Sequence, residues 1–460
     1  MKTSLLATFT LFATGPLIGH IHAADTTAAK NPRKPNIIFI MADDLGYGDL
    51  SMDGQKKFKT PNIDNLAKEG LTFANAYAGS TICGPSRCAL LTGLHTGHAV
   101  IRGNAPESSN FLPDDNPSVA RLLKNGGYAT GCFGKWGMGL PANAGSPSRQ
   151  GFDEFVGFMT HMEGHFHFVN NIWYGDEKRS HSEQVYSQKV FFDSAADFIK
   201  RNKDKPFFIY LAPTIPHASL EATDEDMAPF KGKFPEKPWG KPDGQHYRYQ
   251  ATPHAAFAAM VTRLDKDVGK ITSLIDELGL AKDTIIVFTS DNGPHQEGGA
   301  DPKFFNGSGP FRGIKRDLTD GGVHVPFIAR WPNTIKAGTK TDNFWAHWDL
   351  LPTVADLAGL PVPKGLDGVS LAPTFKGQKQ PEHPPLYWEF YERGWKQQAV
   401  RDGKWKGVYE KKEAPMSLYD IERDPGEKTN LAKSNPEIVK KLEAIIEASH
   451  TPMKERKGKK

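Results

Sequence analysis

The residues best suited to chemistry lie at positions 83–87, which read Cys-Gly-Pro-Ser-Arg and are followed by Cys-Ala-Leu-Leu-Thr-Gly. Pro85 suits the first turn of a helix, so Cys83 is expected just before a helix N-terminus. Free backbone N–H groups and the helix dipole favour an anion there. Arg87 adds a planar cation whose donors match sulfate or phosphate. The alternative is a buried cysteine at a loop-to-helix junction, with Arg87 in a surface salt bridge.

Acidic and amide side chains follow two short apolar runs, at 36–41 and 284–289. Such β-branched runs are typical of buried strands, and ligands bind at the carboxyl ends of strands in open α/β sheets. Three carboxylates meeting there would repel one another without a cation, and oxygen ligands favour Ca²⁺ or, less strongly, Mg²⁺. Alternatively, each pair is a strand-end turn with an Asx cap. The four residues are Asp43, Asp44, Asp291 and Asn292.

A lysine and a histidine follow two further predicted strands. The run at 128–133 leads to Lys135, and the run at 206–211 leads to His217. Both side chains are therefore expected at the same edge of the sheet. The alternatives are an ordinary surface lysine and a turn residue after Pro216.

Helical patterns separate these strands, at 64–70, 119–126, 184–201 and 253–279. The alternation predicts an α/β fold with a large, mostly parallel sheet flanked by helices. Gly, Gln and Pro accumulate at 377–385, which indicates a boundary. Short aromatic strands at 386–391 and 404–409 and a helix from about Pro436 follow it.

The N-terminus has the three consecutive regions of an export signal: a charged residue, an apolar run and small residues. Lys2 precedes an apolar run from Leu5 to Ile18, and Ala23 and Ala24 are small residues suited to cleavage. The run is too short for a stable transmembrane helix, and no later segment is apolar enough to span a membrane. We expect a signal peptide at 1–24, a main domain at 25–377 and a C-terminal subdomain at 378–460, in an exported protein that is periplasmic or secreted.

Composition excludes two classes of protein. A formal net charge of +4 over 460 residues does not favour nucleic-acid binding. Three cysteines are too few for a disulfide framework in an exported chain of this length. If Cys83 is reactive, Cys88 and Cys132 either pair or remain buried thiols.

The Cys-x-Pro-Ser-Arg run and the Leu-Thr-Gly after it resemble the signature of the type I, formylglycine-dependent sulfatases of the alkaline phosphatase superfamily. The resemblance implies that a maturation enzyme oxidises Cys83 to formylglycine, whose hydrated form supplies a hydroxyl nucleophile. It also implies a small C-terminal α+β subdomain and a catalytic domain before it. The implied calcium ligands are Asp43, Asp44, residue 83, Asp291 and Asn292.

The same resemblance implies roles for four cationic or basic residues. Arg87 and Lys135 correspond to residues that hold the nucleophile and the sulfate. Lys315 corresponds to a second sulfate-binding lysine, and His217 to the histidine that protonates the leaving oxygen. Asp320 and His324 replace a Glu and an Arg of the family pattern, a departure that concerns local packing.

Gly137 is a second departure, because sulfatases commonly read Gly-Lys-Trp-His where this chain reads Gly-Lys-Trp-Gly. That histidine is thought to deprotonate the second hydroxyl of the nucleophile. His295, in the loop that follows Asn292, is our first candidate to replace it, and a role for His295 in capping the loop or contacting substrate is equally open. The other candidates, besides water, are His161, His165 and His167.

The sequence therefore predicts an exported sulfuric ester hydrolase whose substrate is a sulfated carbohydrate. Export motivates the carbohydrate, and the aromatic residues Phe166, Phe168 and Trp173 could stack on sugars or belong to the core. One alternative is a phosphate or phosphonate ester hydrolase of the same superfamily. The other is a non-catalytic binder of sulfated glycans.

Overall fold

The computed structural model describes residues 1, 4–8, 10–11, 34–242, 246–392 and 396–453. The chain forms two compact units, Met1–Arg33 and Lys34–Lys460. The described residues of the first unit contain no helix or strand. The predicted cleavage site at Ala23 or Ala24 lies outside the described residues, so the signal peptide stays a prediction.

A ten-stranded mixed sheet organises the second unit, with strand order β10-β2-β9-β8-β1-β7-β3-β4-β5-β6. The strands are β1 Asn36–Ala42, β2 Leu71–Tyr77, β3 Ala129–Lys135, β4 Glu154–Phe158, β5 Phe168–Tyr174, β6 Glu177–Tyr186, β7 Phe207–Ala212, β8 Thr284–Ser290, β9 Phe327–Arg330 and β10 Thr339–Ala346.

The middle of this sheet is parallel. Strands β8, β1, β7, β3 and β4 pair in parallel, and β1 is in register with β8 from Asn36 opposite Thr284 to Ala42 opposite Ser290. Antiparallel pairings join β9 to β2 and β8, and join β5 to β4 and β6. Because the parallel strands all end at one edge, the residues that follow them meet there.

Helices cover both faces of the sheet, as the continuous apolar strands require. Ile38 and Ile40 of β1 pack into a core with residues of α1, α4 and α6, whereas Ile37, Phe39 and Met41 pack into a second core with α2, α3 and α9. The helices are α1 Pro61–Lys68, α2 Cys83–Thr92, α3 Val119–Asn125, α4 Ser187–Asn202, α5 Asp224–Met227, α6 Pro253–Glu277, α7 Pro302–Phe305, α8 Asp320–Val323, α9 Leu350–Leu357, α10 Ala372–Phe375 and α11 Pro436–Ser449.

A small antiparallel sheet follows in the order β11-β12-β13-β14. Leu442 and Ile446 of α11 pack on one of its faces, and Trp388 and Phe390 on the other face join a core with Ile82 and Trp348 of the main body. The predicted fold class is therefore confirmed. The domain boundary near 377 stays a prediction. The strands are β11 Leu386–Phe390, β12 Gln397–Asp402, β13 Trp405–Val408 and β14 Ser417–Asp420.

Several predicted elements differ in extent from those observed. The helix expected over 64–70 begins at Pro61, which occupies its first turn. The helix expected from 184 begins at Ser187, because Gln184–Tyr186 still belong to β6. All three cysteines are buried and lie outside any disulfide, so Cys88 and Cys132 do not form a disulfide with each other. Within the described ranges, we find no helix with the length and apolar character needed to cross a membrane.

Candidate active site

Cys83 lies at the start of α2, at the edge where the parallel strands end. It is the first residue of the helix rather than the residue before it, and Ile82 in extended conformation precedes it. The Gly84 N–H donates to Oδ1 of Asn104 at 3.1 Å, and Nδ2 of Asn104 lies 3.4 Å from the Cys83 sulfur. Nδ1 of His161 lies 3.5 Å from the same sulfur. Residue 83 therefore meets a helix N-terminus, an amide and an imidazole.

Arg87 lies one turn into α2 and is fully buried. Its Nη2 donates to Oδ2 of Asp291 at 2.7 Å, and its Nη1 donates to the Lys135 carbonyl at 3.0 Å and the Tyr210 hydroxyl at 3.2 Å. Burial opposes the charged form, but Tyr210, Asp291 and Asp43 hold the pKa of Arg87 well above its usual value. The guanidinium thus ties α2 to the ends of β3, β7 and β8.

The structure brings together the four carboxylate and amide residues among the five predicted metal ligands. The Asp44 N–H donates to Oδ1 of Asp291 at 3.0 Å, and Nδ2 of Asn292 donates to Oδ1 of Asp44 at 2.6 Å. All four side chains are fully buried. Oδ1 of Asp43 and Oδ1 of Asn292 have no hydrogen-bond partner among the described residues.

The electrostatics of these carboxylates fit a cation. Burial would raise the pKa of Asp43, but Lys135 and Arg87 hold it well below its usual range. Burial and the charge of Asp43 raise the pKa of Asp291 well above its usual value, despite Arg87. Buried oxygens without donors and carboxylates that repel one another are what a hard cation stabilises.

Lys135 and Lys315 each bond to one of these carboxylates. Nζ of Lys135, at the end of β3, donates to Oδ2 of Asp43 at 2.6 Å. Nζ of Lys315 donates to Oδ2 of Asp44 and to Oε2 of Glu297, both at 2.8 Å. Burial opposes both charges, but their carboxylate partners raise the pKa of each lysine. Both ammonium groups therefore stay charged in the buried site.

His217 faces the same group from the loop after β7. Its Nε2 lies 3.1 Å from Nζ of Lys315 and 3.4 Å from Oδ2 of Asp44. Its Nδ1 bonds to the Ala218 carbonyl at 2.5 Å. Burial, Lys315 and Lys135 lower the pKa of His217 well below its usual value, so this imidazole is neutral and accepts from Lys315.

The four candidate bases have different surroundings. Nε2 of His295 bonds to the Pro216 carbonyl at 3.0 Å, and its Nδ1 accepts from the Glu297 N–H at 3.2 Å. His167 bonds to the Thr214 hydroxyl and the His217 carbonyl. His165 stacks on His217 with centroids 5.0 Å apart. Of these four histidines, His161 is the one whose ring contacts residue 83, so the distances favour it over His295.

A cavity of about 560 Å³ opens above residue 83. Sequence reasoning missed three of the residues that line it: Asn104, Glu107 and Glu297. Glu297 could have been predicted from the sequence, since it is a carboxylate in the loop that follows Asn292. Asn104 and Glu107 could not, because their segment shows no periodicity. Phe166, Phe168 and Trp173 do not line this cavity, and Phe168 and Trp173 belong to β5.

Residues 35–360 match the family model described as Sulfatase, and residues 313–451 match the model described as N-sulphoglucosamine sulphohydrolase, C-terminal. The chain belongs to the sulfatase family. This sulfatase is 32% identical to the N-acetylgalactosamine-6-O-sulfatase of Bacteroides thetaiotaomicron, with 92% of this chain and 94% of the relative covered. It is also 32% identical to the Arylsulfatase A of Homo sapiens, with 90% and 87% covered.

A solved structure is also similar to this chain over most of its length. The crystal structure of Ps i-CgsB superposes with a TM-score of 0.79 at 32% identity, covering 91% of this sulfatase and 93% of that chain. The predicted family and enzyme class, a sulfuric ester hydrolase, are confirmed. The Phosphonate Monoester Hydrolase of Agrobacterium radiobacter shares the fold, with a TM-score of 0.65 at 21% identity. The roles assigned to single residues remain predictions that this geometry makes concrete.

Proposed function

We propose that this sulfatase is an exported enzyme that removes sulfate from carbohydrates, with Cys83 converted to formylglycine. The observation that carries the proposal is the set of buried cations around residue 83. Arg87, Lys135 and Lys315 each bond to a carboxylate beside the start of α2. A sulfate ester is an anion, and preorganised cations and helix N–H groups in a buried site stabilise the charge that develops on its oxygens.

The metal in this proposal is Ca²⁺, with Mg²⁺ as the second choice. The side-chain oxygens of the four buried residues, together with residue 83, would hold it. When bound, the ion supplies a fixed positive charge that polarises the sulfate. Asp43 and Asp44 then no longer depend on Lys135 and Lys315 for charge balance, which leaves both ammonium groups for the sulfate oxygens.

The chain's own residues divide the remaining work. Formylglycine, in its hydrated form, supplies a hydroxyl nucleophile at position 83. Arg87 holds the N-terminal part of α2 against Asp291 and so fixes the direction of residue 83. Lys135 and Lys315 stabilise negative charge on the sulfate. His217, whose Nε2 lies 3.1 Å from Nζ of Lys315, supplies the proton that the leaving alcohol needs.

A bound sulfate changes the protonation of His217 in the required direction. Burial and two lysines now lower its pKa. A nearby anion favours the protonated imidazole, because opposite charges stabilise each other at short range. A protonated His217 can then pass its proton to the leaving oxygen as the ester bond breaks, while Lys315 keeps its charge beside the sulfate.

Two relatives support a carbohydrate as the alcohol that carries the sulfate. One is named N-acetylgalactosamine-6-O-sulfatase, and it covers nearly the whole chain. The other is Ps i-CgsB, solved in complex with k-i-k-neocarrahexaose, at 31% identity and a TM-score of 0.79. The cavity, whose lining includes Met162, Tyr247 and Arg316, has room for a sugar ring.

Mass spectrometry of the residue-83 peptide tests the modification. In protein from the native host, we expect the mass of formylglycine rather than cysteine, and a mature N-terminus after Ala23 or Ala24. The maturation enzyme is the one partner needed besides substrate. An active preparation with an unmodified thiol at position 83, or Cys83→Ala with full activity, would overturn the proposed chemistry.

A substrate panel tests the carbohydrate. Sulfated mono- and oligosaccharides should be desulfated with a kcat/KM well above the kcat/KM for aryl sulfates. Phosphate esters of the same alcohols serve as the control for the alternative reaction. Activity confined to small aryl sulfates would contradict the carbohydrate, while leaving the sulfatase reaction intact.

A further inference from the structure

The imidazole of His161 fills the space into which a side chain at position 137 would project. A Cβ atom on Gly137 would lie 2.3 Å from Cε1 and 2.8 Å from Nδ1 of His161. Gly137 follows the end of β3, whereas His161 belongs to the loop after β4. The segment after β3 and the loop after β4 thus border the same space, and in this chain His161 of the loop fills it.

The contacts of His161 orient its ring. Nδ1 faces the sulfur of residue 83 at 3.5 Å. Oε1 of Glu107 accepts from the His161 backbone N–H at 2.7 Å and lies 3.8 Å from Nε2. A carboxylate on the Nε2 side favours the tautomer with its proton on Nε2, which turns the lone pair of Nδ1 towards residue 83.

Glycine at position 84 is part of the same arrangement. A Cβ atom on Gly84 would lie 3.0 Å from Nε2 of His161 and 2.4 Å from Oδ1 of Asn104. Any other residue would push both side chains away from the start of α2. Gly84 and Gly137 therefore leave room for His161 from two sides.

We propose that His161 is the general base that regenerates residue 83 after sulfate transfer, and that Glu107 positions its imidazole. The inference rests on the proposed function, since it assumes a sulfated formylglycine hydrate. Nδ1 of His161 takes the proton of the remaining hydroxyl, and the electron pair of that O–H bond forms the aldehyde C=O. The C–O bond to the sulfate breaks, and sulfate leaves with that bond's electron pair, so protons and electrons balance.

Replacing the imidazole should separate the two halves of the reaction. His161→Ala, studied by rapid mixing on a chromogenic sulfate, should release about one equivalent of alcohol per active site. Steady turnover should then fall by about 100-fold or more, the usual contribution of a general base. Mass spectrometry should find one SO₃ group retained on the residue-83 peptide. His181→Ala, in β6 outside the cavity, is the matched control and should behave as wild type.

Added imidazole distinguishes a missing base from a damaged fold. His161→Ala leaves a hole, so imidazole in solution should restore turnover and clear the retained sulfate. His161→Phe fills that hole, so the same imidazole should not rescue it. Glu107→Gln keeps an acceptor for the His161 N–H but loses the charge, and should slow the second step with the burst preserved.

The outcomes separate this inference from the function it rests on. If wild type turns over but His161→Ala is uniformly slow, without a burst and without retained sulfate, the proposed role of His161 is wrong. The proposed function is not affected by that result. Unchanged turnover in His161→Ala would also overturn the role of His161. A wild type with formylglycine at position 83 that hydrolyses none of the tested sulfate esters would overturn the proposed function itself. Rescue of His161→Phe by imidazole would also contradict the inference.

Discussion

At the scale of single residues, the site is a set of buried charges that neutralise one another in pairs. Lys135 pairs with Asp43, and Lys315 pairs with Asp44. Arg87 pairs with Asp291. Each pair is fully or almost fully buried, so the loss of one partner leaves a charge that water cannot solvate. Oδ1 of Asp43 and Oδ1 of Asn292, which have no hydrogen-bond partner among the described residues, would be stabilised by a bound metal in the same way.

Metal removal should abolish activity and lower thermal stability. After a chelator, we expect a fall in Tm that added Ca²⁺ reverses, because an ion that binds the folded state alone stabilises it. Asp43→Ala should be inactive, and its Tm should no longer respond to Ca²⁺. Asp193→Asn, which changes an exposed carboxylate on α4, is the control. Full turnover after verified metal loss would contradict the oxygen site.

Asp49 should make the stability depend on pH. Burial raises its pKa to about 7, from an ordinary value of 3.8, although the Gly46 N–H opposes the shift. The folded state thus keeps a proton that the unfolded state loses, so Asp49 reduces stability progressively as the pH rises from about 4 to 7. Asp49→Asn cannot ionise and keeps an acceptor for Gly46.

The measurement is the difference in free energy of unfolding between Asp49→Asn and wild type from pH 5 to pH 8. This difference should move in favour of the variant by about 2 kcal/mol as the pH rises, since one pKa unit corresponds to about 1.4 kcal/mol. Asp193→Asn, on the exposed side of α4, should show no such trend. A constant difference across this range would contradict the raised pKa.

At the scale of elements, burial on both faces decides what the sequence predicts. Strands β1, β3, β7 and β8 are buried at every position, and all four were predicted together with the residues that follow them. The exposed strand β6 has no alternation to read. The edge of the sheet could therefore be predicted from the sequence, including six of the residues that meet there.

The histidine that contacts residue 83 could not be ranked in the same way. His161 and His295 lie in loops, and a loop's path depends on packing against distant segments. Proximity along the chain to Asn292 favoured His295. The observed contact depends on the space left by Gly137 and Gly84, which no local pattern of the sequence reveals.

Packing of α11 on the small sheet should be measurable by one substitution. Leu442 is fully buried and packs in a core with Val400, Met416 and Leu418. Leu442→Ala should lower the free energy of unfolding by about 2–5 kcal/mol, the usual cost of such a cavity. Lys440→Ala, on the exposed face of α11, should change it by less than about 0.5 kcal/mol. A loss below 1 kcal/mol in Leu442→Ala, by urea unfolding, would contradict this packing.

At the scale of the whole molecule, the small sheet and the catalytic part share a buried polar joint. Nζ of Lys406, on β13, bonds to Oδ1 of Asp320 at the start of α8. Oδ2 of Asp320 accepts from the Tyr77 hydroxyl at 3.0 Å and contacts Nδ1 of His324 at 3.3 Å. The departure from the family pattern at Asp320 and His324 therefore lies in this joint. The same segment carries Lys315, so the joint supports one side of the active site.

Breaking this joint should destabilise the molecule as one unit. Lys406 is fully buried, with Asp320 as its partner and Oε1 of Glu427 at 3.6 Å. Lys406→Met leaves these carboxylates without a buried counter-charge, so the free energy of unfolding should fall by about 3–5 kcal/mol. Adding Asp320→Asn removes one of the stranded charges, so the double variant should lose less than the sum of the single variants.

Calorimetry and urea unfolding check both parts of this prediction. Lys404→Met is the matched control, because Lys404 lies one residue before β13 and is 39% exposed in its pair with Asp420. It should change stability by less than about 1 kcal/mol, as exposed ion pairs do. Residues 34–460 form one compact unit, so we expect a single transition in wild type and in Lys406→Met. Two separated transitions, or a cost in Lys406→Met no larger than in Lys404→Met, would show that the buried ion pair does not couple the small sheet to the catalytic part.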